Sequence, residues 1–480
     1  MTPLFRLSML SAALLLLSSC GGGGGDGGGS TLGPQTATVG IALTDAPTTD
    51  IDQALATITS VELIGDGGRV SLFSGTETVD LLKLGDYSEL FAVRNDVPAG
   101  NYNKIRMQVS NLDLIRLDAA GNVAETLHPK LVANGKIDLN PRGSFHVAPG
   151  ATLMITLDFD MNKSLKITET GNGKLILRPV IFVDIANGIP SPGLTRIHGR
   201  VTDIGNGDDF RLCQTALAAS SAQDRTEART AVDNRCVRVR TDGQTGIFGS
   251  DGLPQALIML AENEEATVIG RLRPVTKGSD EDDRADEHFA LDAYVVEEGP
   301  LGTFRRLRGA VAGTVNPGSD QFSLDLAPGQ GIVSDDPLAA QLYPKSRVFS
   351  RAGVELTRAD VTLGVSALVD AVLAVSSIDD VLRTALVVID KGVSGGEKVV
   401  AGSVLTVDVA SGQLLVATDV GDRCIDAANA DVFLVGESDD SLASERGTLS
   451  DLSPGQSLNI FGRESVGGCL IASTILAERD

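Results

Sequence analysis

From Thr38 onward, apolar and polar residues alternate in short runs broken by Gly, Asp, Asn and Pro. A period of two residues is the mark of strands that bury one face, and the breakers mark the turns between them. Between Thr38 and Ile185 the runs TVGIALTDAP, ATITSVELI, RVSLF, YNKIRMQVSNLDLI, SFHVAPG, TLMITLDFD and LILRPVIFVDI predict at least seven strands. In TLMITLDFD, Leu153, Ile155, Leu157 and Phe159 share one face, while Thr152, Thr156, Asp158 and Asp160 share the other. One core face and one wet face is what a β-sandwich requires.

Beyond this region the pattern repeats. IHGRVTDI, LRGAVAGTV and VAGSVLTVD each place a Gly (Gly199, Gly309, Gly402) among apolar residues, about 100 residues apart. Each is followed by a second strand (DFRLC, QFSLDL, QLLVATD), a later one (ATVIGRL, VSALVDAVLA, SLNIFGR) and a closing one (FALDAYVVE, RTALVVID, CLIASTILA). Three small barrels or curled sheets satisfy this spacing better than one large fold. Within the first block, Gln214 to Val232 breaks the alternation with residues rich in Ala, Gln, Glu and Arg, which predicts a short helix or a mobile excursion.

The N-terminus has another character. Arg6 is followed by an almost wholly apolar stretch, Leu7 to Leu17, of signal-peptide length and too short to span a bilayer. Leu17-Ser18-Ser19-Cys20 resembles the bacterial lipobox, which implies diacylglycerol on Cys20 and removal of residues 1–19. Several acyl chains, at ~0.8 kcal/mol per buried CH₂, hold a protein firmly to a membrane. Gly21 stands where Asp would mark retention at the inner membrane, so the resemblance implies the cell outer membrane, with the body facing the periplasm or the cell surface. Residues 20–35 are the lipidated cysteine and a Gly-rich tether, which has almost no side chains to bury and so gains nothing to offset the entropy of ordering.

Composition narrows the chemistry. Asp and Glu outnumber Lys and Arg by 63 to 40, a formal charge of -23, which argues against nucleic-acid partners. There is no Trp and only four Tyr, so few aromatic platforms exist for sugars. Besides Cys20, the even set Cys213, Cys236, Cys424 and Cys469 in an exported chain predicts disulfides, with chain proximity pairing Cys213 with Cys236 and Cys424 with Cys469.

The four histidines, His128, His146, His198 and His288, lie in no recognisable nucleophile or metal motif, so no catalytic residue is assigned. The stretch DFDMNKSLKITE offers calcium candidates Asp158, Asp160, Asn162 and Glu169 at nearly EF-hand spacing, but Lys163 occupies the position that needs Gly, and a strand precedes it. No metal or cofactor is therefore expected. GSDEDDRADEH crowds six carboxylates into a predicted solvated loop.

ALTDAP at Ala42, VPAGNYNKIRMQVS at Val97, LDFD at Leu157 and LRPVI at Leu177 together resemble the prokaryotic lipoprotein domain called domain of unknown function 4382. The resemblance implies an extracytoplasmic β-sandwich of prealbumin-like type and no established activity. The later blocks resemble, more distantly, the periplasmic barrel repeats called domain of unknown function 5666. The expected organisation is all-β: signal peptide 1–19, tether 20–35, sandwich 36–188, and repeats 195–299, 304–392 and 397–480. The function expected is an outer-membrane-anchored lipoprotein, a noncatalytic binding or scaffold module of the envelope. Its partners would be the membrane, through the lipid, and an envelope or extracellular protein or glycan. The alternatives are a calcium-assisted glycan or protein adhesin and an envelope hydrolase with an unrecognised site.

Overall fold

The computed structural model describes residues 36–46, 51–66, 68–118, 120–139, 141, 143–161, 168–169, 175–177, 181–187, 193–205, 209–217, 219, 235–275, 288–332, 334, 336–375, 380–390, 398–438, 441–465 and 468–478. Among them, strands dominate, joined by tight turns and short 3₁₀ turns, and no helix is long and apolar enough to cross a membrane.

The N-terminal sandwich contains β1 (Thr36–Ala46), β2 (Gln53–Gly65), β3 (Gly68–Asp80), β4 (Glu89–Pro98), β5 (Gly100–Leu117), β6 (Val123–Leu127), β7 (Lys130–Leu131), β8 (Lys136–Leu139), β9 (Phe145–Val147), β10 (Thr152–Asp160), β11 (Thr168–Glu169), β12 (Leu175–Leu177) and β13 (Ile181–Asn187). One sheet has the order β13-β10-β1-β4; the facing sheet runs β8-β5-β2-β3, with β6 and β9 also on β5. Val39, Ile41, Leu153, Ile155 and Leu157 from the first sheet meet Ile58, Leu63, Ile105 and Met107 from the second in one core. The alternation in the sequence is thus realised as inward and outward faces.

Three barrels follow. The first uses β14 (Thr195–Thr202), β15 (Asp209–Gln214), β16 (Cys236–Arg240), β17 (Gly246–Phe248), β18 (Glu265–Pro274) and β19 (Phe289–Glu298). The second uses β20 (Arg305–Asn316), β21 (Gln321–Leu326), β22 (Leu338–Ser350), β23 (Glu355–Leu356), β24 (Ser366–Ala374) and β25 (Val381–Asp390). The third uses β26 (Lys398–Asp408), β27 (Gln413–Thr418), β28 (Gly421–Asp426), β29 (Asp431–Ser438), β30 (Ser441–Gly447), β31 (Ser457–Glu464) and β32 (Leu470–Glu478).

Leaving aside the added strands β17, β23 and β29–β30, each barrel closes five strands (β14-β15-β16-β19-β18 in the first): the first lies between the second and the fourth of these, and the third pairs in parallel with the last. This is the order of an OB-type Greek-key barrel. The repeated glycine has a steric cause: a Cβ on Gly199, Gly309 or Gly402 would lie 2.4, 2.2 or 2.2 Å from a backbone oxygen of the second strand, so only Gly permits the curl.

The sandwich is the hub. Ala42, Leu90 and Met154 on its outer face enter the core of the first barrel, and Phe289 approaches so closely that a Cβ on Gly40 would meet its ring at 2.7 Å. The third barrel returns to the sandwich through its β29–β30 hairpin, which pairs in parallel with β8, and through an edge contact of Phe182 with Phe433 at 5.0 Å.

One expectation is corrected. Asp160 lies at the end of a strand predicted to have a wet face, yet it is 3% exposed. The strand is central in its sheet, between β1 and β13, and the outer face of that sheet is covered in part by the first barrel.

Candidate functional site

The densest set of buried charged side chains lies where the sandwich meets the first two barrels. Leu81, Leu82 and Leu84 anchor a 3₁₀ turn in the sandwich core, so the next residues, Gly85 to Ser88, project outward. Ser88 joins the first barrel: its N–H donates to Leu194 O at 2.7 Å, and Arg196 N–H donates to Ser88 O at 2.9 Å. Tyr87 enters an apolar cluster built from both barrels, including Phe248, Ile269, Val295, Phe304, Phe349 and Leu386.

Around Tyr87 the charges converge. Its hydroxyl donates to Asp370 Oδ2 at 3.2 Å, and the Arg306 guanidinium lies 4.5 Å from its ring centroid. Arg196 approaches Glu297 at 3.7 Å and Asp370 at 3.8 Å; Arg306 approaches Asp370 and Asp86 at 3.8 Å. Asp86 also receives Arg308 and, at 3.2 Å, Arg351 Nε, while Arg306 Nη1 donates to Lys83 O at 2.5 Å. Arg351 further pairs with Asp390 at 3.0 Å. The four arginines are thus matched by four carboxylates.

Asp86, Arg196, Glu297 and Asp370 are buried and Arg306 nearly so, whereas Arg308, Arg351 and Asp390 reach the surface. Glu297 and Asp370 are 1% and 0% exposed, and neither Glu297 oxygen has a direct hydrogen-bond partner. Its ion pair, at 3.7 Å, is too long for a hydrogen bond. Burial, reinforced by neighbouring Asp370, pushes the Glu297 carboxyl well above the ordinary range against the pull of Arg196 and Arg306. Burial and then Asp370 likewise raise the Tyr87 phenol. Burial lowers Arg306, whereas for Arg196 the opposing burial is outweighed by Asp370 and Glu297, which hold it above its usual value. A raised carboxyl among cations is also how acid–base sites are built, but these heads face one another across three packed bodies and act on each other.

A second anchor lies at the base of the Gln214–Val232 excursion. Cys213 and Cys236 are opposite residues of β15 and β16 and form a disulfide; Cys424 and Cys469 form the other. Leu217 and Ala219, just inside the first bridge, are buried in the sandwich core. Ala219 N–H donates to Glu89 Oε2 at 2.8 Å, and Asp80 N–H donates to Ala219 O at 2.9 Å. Arg235 reaches Phe91 O at 2.6 Å; burial pulls its pKa down to about 10 against the attraction of Glu89. A third anchor is Asp138 on β8, gripped by Arg106 at 2.6 Å and Lys104 at 3.2 Å. Burial alone would raise its pKa, but these two cations bring it below the ordinary value.

The residues singled out from sequence are dispersed. Cys20, Asn162, the excursion from 220 to 234 and the acidic stretch 276–287 lie outside the described residues, and Glu169 is described only in its backbone. Among the described residues, no group of three or more His, Cys, Asp or Glu is placed to hold a metal ion. His128 meets Asp113 at 2.7 Å, His146 meets Asn101 at 3.0 Å, His198 meets Thr267 at 3.0 Å and His288 meets Thr38 at 3.0 Å, four separate places. Asp86, Tyr87, Arg196, Glu297, Arg306 and Asp370 escaped sequence reasoning. The available signal was a charge inside an apolar strand, as in SALVDAVLA, AYVVEE and LTRIHG.

Comparison with known proteins places a family on the sandwich: residues 36–179 match the model described as Domain of unknown function (DUF4382). None of the curated proteins matches. A solved structure described as drosophila Unr CSD456 aligns with 58% of this chain and 96% of its own at 13% identity, with a TM-score of 0.18.

Proposed function

We propose that this chain is an outer-membrane-anchored lipoprotein, attached through Cys20, whose sandwich and barrels form a noncatalytic scaffold that presents binding surfaces in the cell envelope. The observation that carries the reading is the charged junction. Side chains with the chemistry of an active site are engaged with one another, joining three β-bodies into one support. The leader, the cysteine and the glycine tether supply the attachment, and the disulfides suit an oxidising compartment.

The test has two arms. Metabolic labelling with palmitate should mark the wild-type chain in the outer-membrane fraction, and Cys20→Ser should abolish the label while leaving the folded body intact. Equal labelling of both would overturn the anchoring. Purified chain should turn over none of a panel of glycosidase, esterase and peptidase substrates; activity lost on substituting a residue of this chain would overturn the noncatalytic reading.

A further inference from the structure

In all three barrels the first strand starts before its ladder with the second. The repeated Gly aligns the copies: Ile197, Leu307 and Val400, two residues before it, are buried, and so are Val201, Val311 and Val404, two residues after it. Pairing with the second strand begins at Gly199↔Gln214, Gly309↔Leu326 and Ser403↔Ala417, which leaves the leading edge of each first strand to another partner. In the first barrel that partner is the sandwich. Ser88 bridges Thr195 in parallel, donating its N–H to Leu194 O at 2.7 Å and accepting from Arg196 N–H at 2.9 Å, and the Ser88 and Thr195 hydroxyls meet at 2.9 Å. The second barrel covers its own edge: Ala327 N–H donates to Arg308 O at 2.9 Å, and Arg308 N–H donates to Gln330 Oε1 at 3.2 Å. In the third, β27 ends at Thr418 and β28 begins at Gly421, and among the described residues no strand pairs with β26 on this side before Ser403.

The backbone of Val399 and Ala401 faces this opening. Val404 N–H donates to Gln456 O, toward β31, just as the equivalent Val201 N–H donates to Glu264 O. Alternation along the strand therefore turns residues 399 and 401 the way Arg196 turns to Ser88. The side chains differ in the same sense. Where Arg196 is 4% exposed, the equivalent Val399 is 48% exposed; its cross-strand neighbour is Phe461, part of the apolar contact of the third barrel with Phe182 of the sandwich. An open groove of about 460 Å³ continues from Ala401 past Gly402 to Ser403, Thr418 and Ser457. An uncovered strand edge is a template for pairing with another chain.

We propose that the leading edge of β26, from Val399 to Ala401, docks an extended segment of a partner protein, which adds to the third barrel as Ser88 of the sandwich adds to the first. This rests on the reading of the chain as a binding scaffold and names its partner's chemistry: a strand with no proline at the pairing residue, an apolar side chain against Val399 and a small polar one in the hydroxyl-lined groove. Main-chain hydrogen bonds supply the affinity of such an addition, and the side-chain positions supply its selectivity. Val399 and Ala401 stand where Arg306 and Arg308 hold Asp86 in the second barrel, so the occupant is not an acidic segment like that of the sandwich.

The test installs a benzophenone side chain in place of Val399 in the full-length chain in intact cells, with the same probe in place of Val354, 56% exposed on the second barrel, as the comparison. The expected result is an adduct specific to the first position, mapped to one stretch of a partner protein. A synthetic peptide of that stretch should bind the native full-length chain and lose about tenfold in affinity with Ala401→Pro, which removes the edge N–H where proline leaves the ladder with β31 intact. Ala401→Ser, which keeps the N–H, should bind as the native chain does. The peptide N-methylated at its pairing residues should lose binding to the native chain, a measurement independent of how the proline variant folds. Adducts to lipid only, to this chain or another copy of it, equally from both positions, or none at all would overturn the edge. So would an equal loss in Ala401→Ser, or peptide binding that N-methylation leaves untouched. A specific adduct from Val354 alone would overturn the edge and leave the scaffold reading standing. Turnover of a substrate by the chain's own residues, together with edge-dependent peptide binding, would do the reverse.

Discussion

Glu297 sits where ionisation is opposed by the fold. Its pKa in the folded chain is raised above the unfolded value, so the fold loses stability through this group as pH rises from the ordinary carboxylate range toward the raised value, and regains it as pH falls. Glu297→Gln should therefore raise the urea midpoint at neutral pH and flatten its dependence on pH between 4 and 8. A variant equally destabilised at every pH would contradict this. Asp370 has the opposite role, facing Arg196, Arg306 and Tyr87 together. Asp370→Ala leaves two buried cations underpaired and should cost about 3–5 kcal/mol, whereas Tyr87→Phe removes one hydrogen bond and should cost about 1 kcal/mol; chemical denaturation checks both. None of this was legible in the sequence beforehand, because Asp86 and Asp370 are 284 positions apart and meet only after three bodies dock.

Strands that bury one face were legible, and those that bury both were harder to read. The runs at Thr38, Ala56, Arg69, Tyr102, Ser144, Thr152 and Leu175 all correspond to strands, but β4 was missed. Its Leu90 faces the first barrel while Phe91 faces the sandwich core, so no alternation marks it. The third strand of each barrel was missed as well: CVRVR is short, and β22 runs through a proline. The pairing of cysteines was legible from count and order. The excursion they bracket was read by composition, which could not show that Leu217 and Ala219 dock in the sandwich. Replacing Cys213 and Cys236 by Ser should cost about 3 kcal/mol on the loop-closure account and speed hydrogen exchange at the amides of Asp80 and Ala219, while those near Cys424 stay protected. Unchanged exchange at both would show that the bridge does not hold the contact. At the end of β10, Asp160 is buried, so Asp160→Asn should destabilise by about 1–3 kcal/mol, and calcium should leave the midpoint of the wild type unmoved. A calcium-dependent rise that Asp160→Asn removes would favour the adhesin alternative.

At the scale of the molecule, the sandwich touches each barrel by a different device: a shared apolar core with the first, the Asp86–Tyr87 projection into the second, and a strand pairing with the third. The first two devices meet at the charged junction, so the sandwich and the first two barrels should unfold together. Differential scanning calorimetry of the full chain lacking residues 1–20, compared with Asp86→Ala, tests this most directly. The prediction is one cooperative transition for the sandwich and the first two barrels in the parent chain, which splits in Asp86→Ala into a lower transition for the second barrel and a separate one for the sandwich with the first. Separate transitions already present in the parent chain, at temperatures that Asp86→Ala leaves unchanged, would contradict the account of the junction as the structural lock of a scaffold.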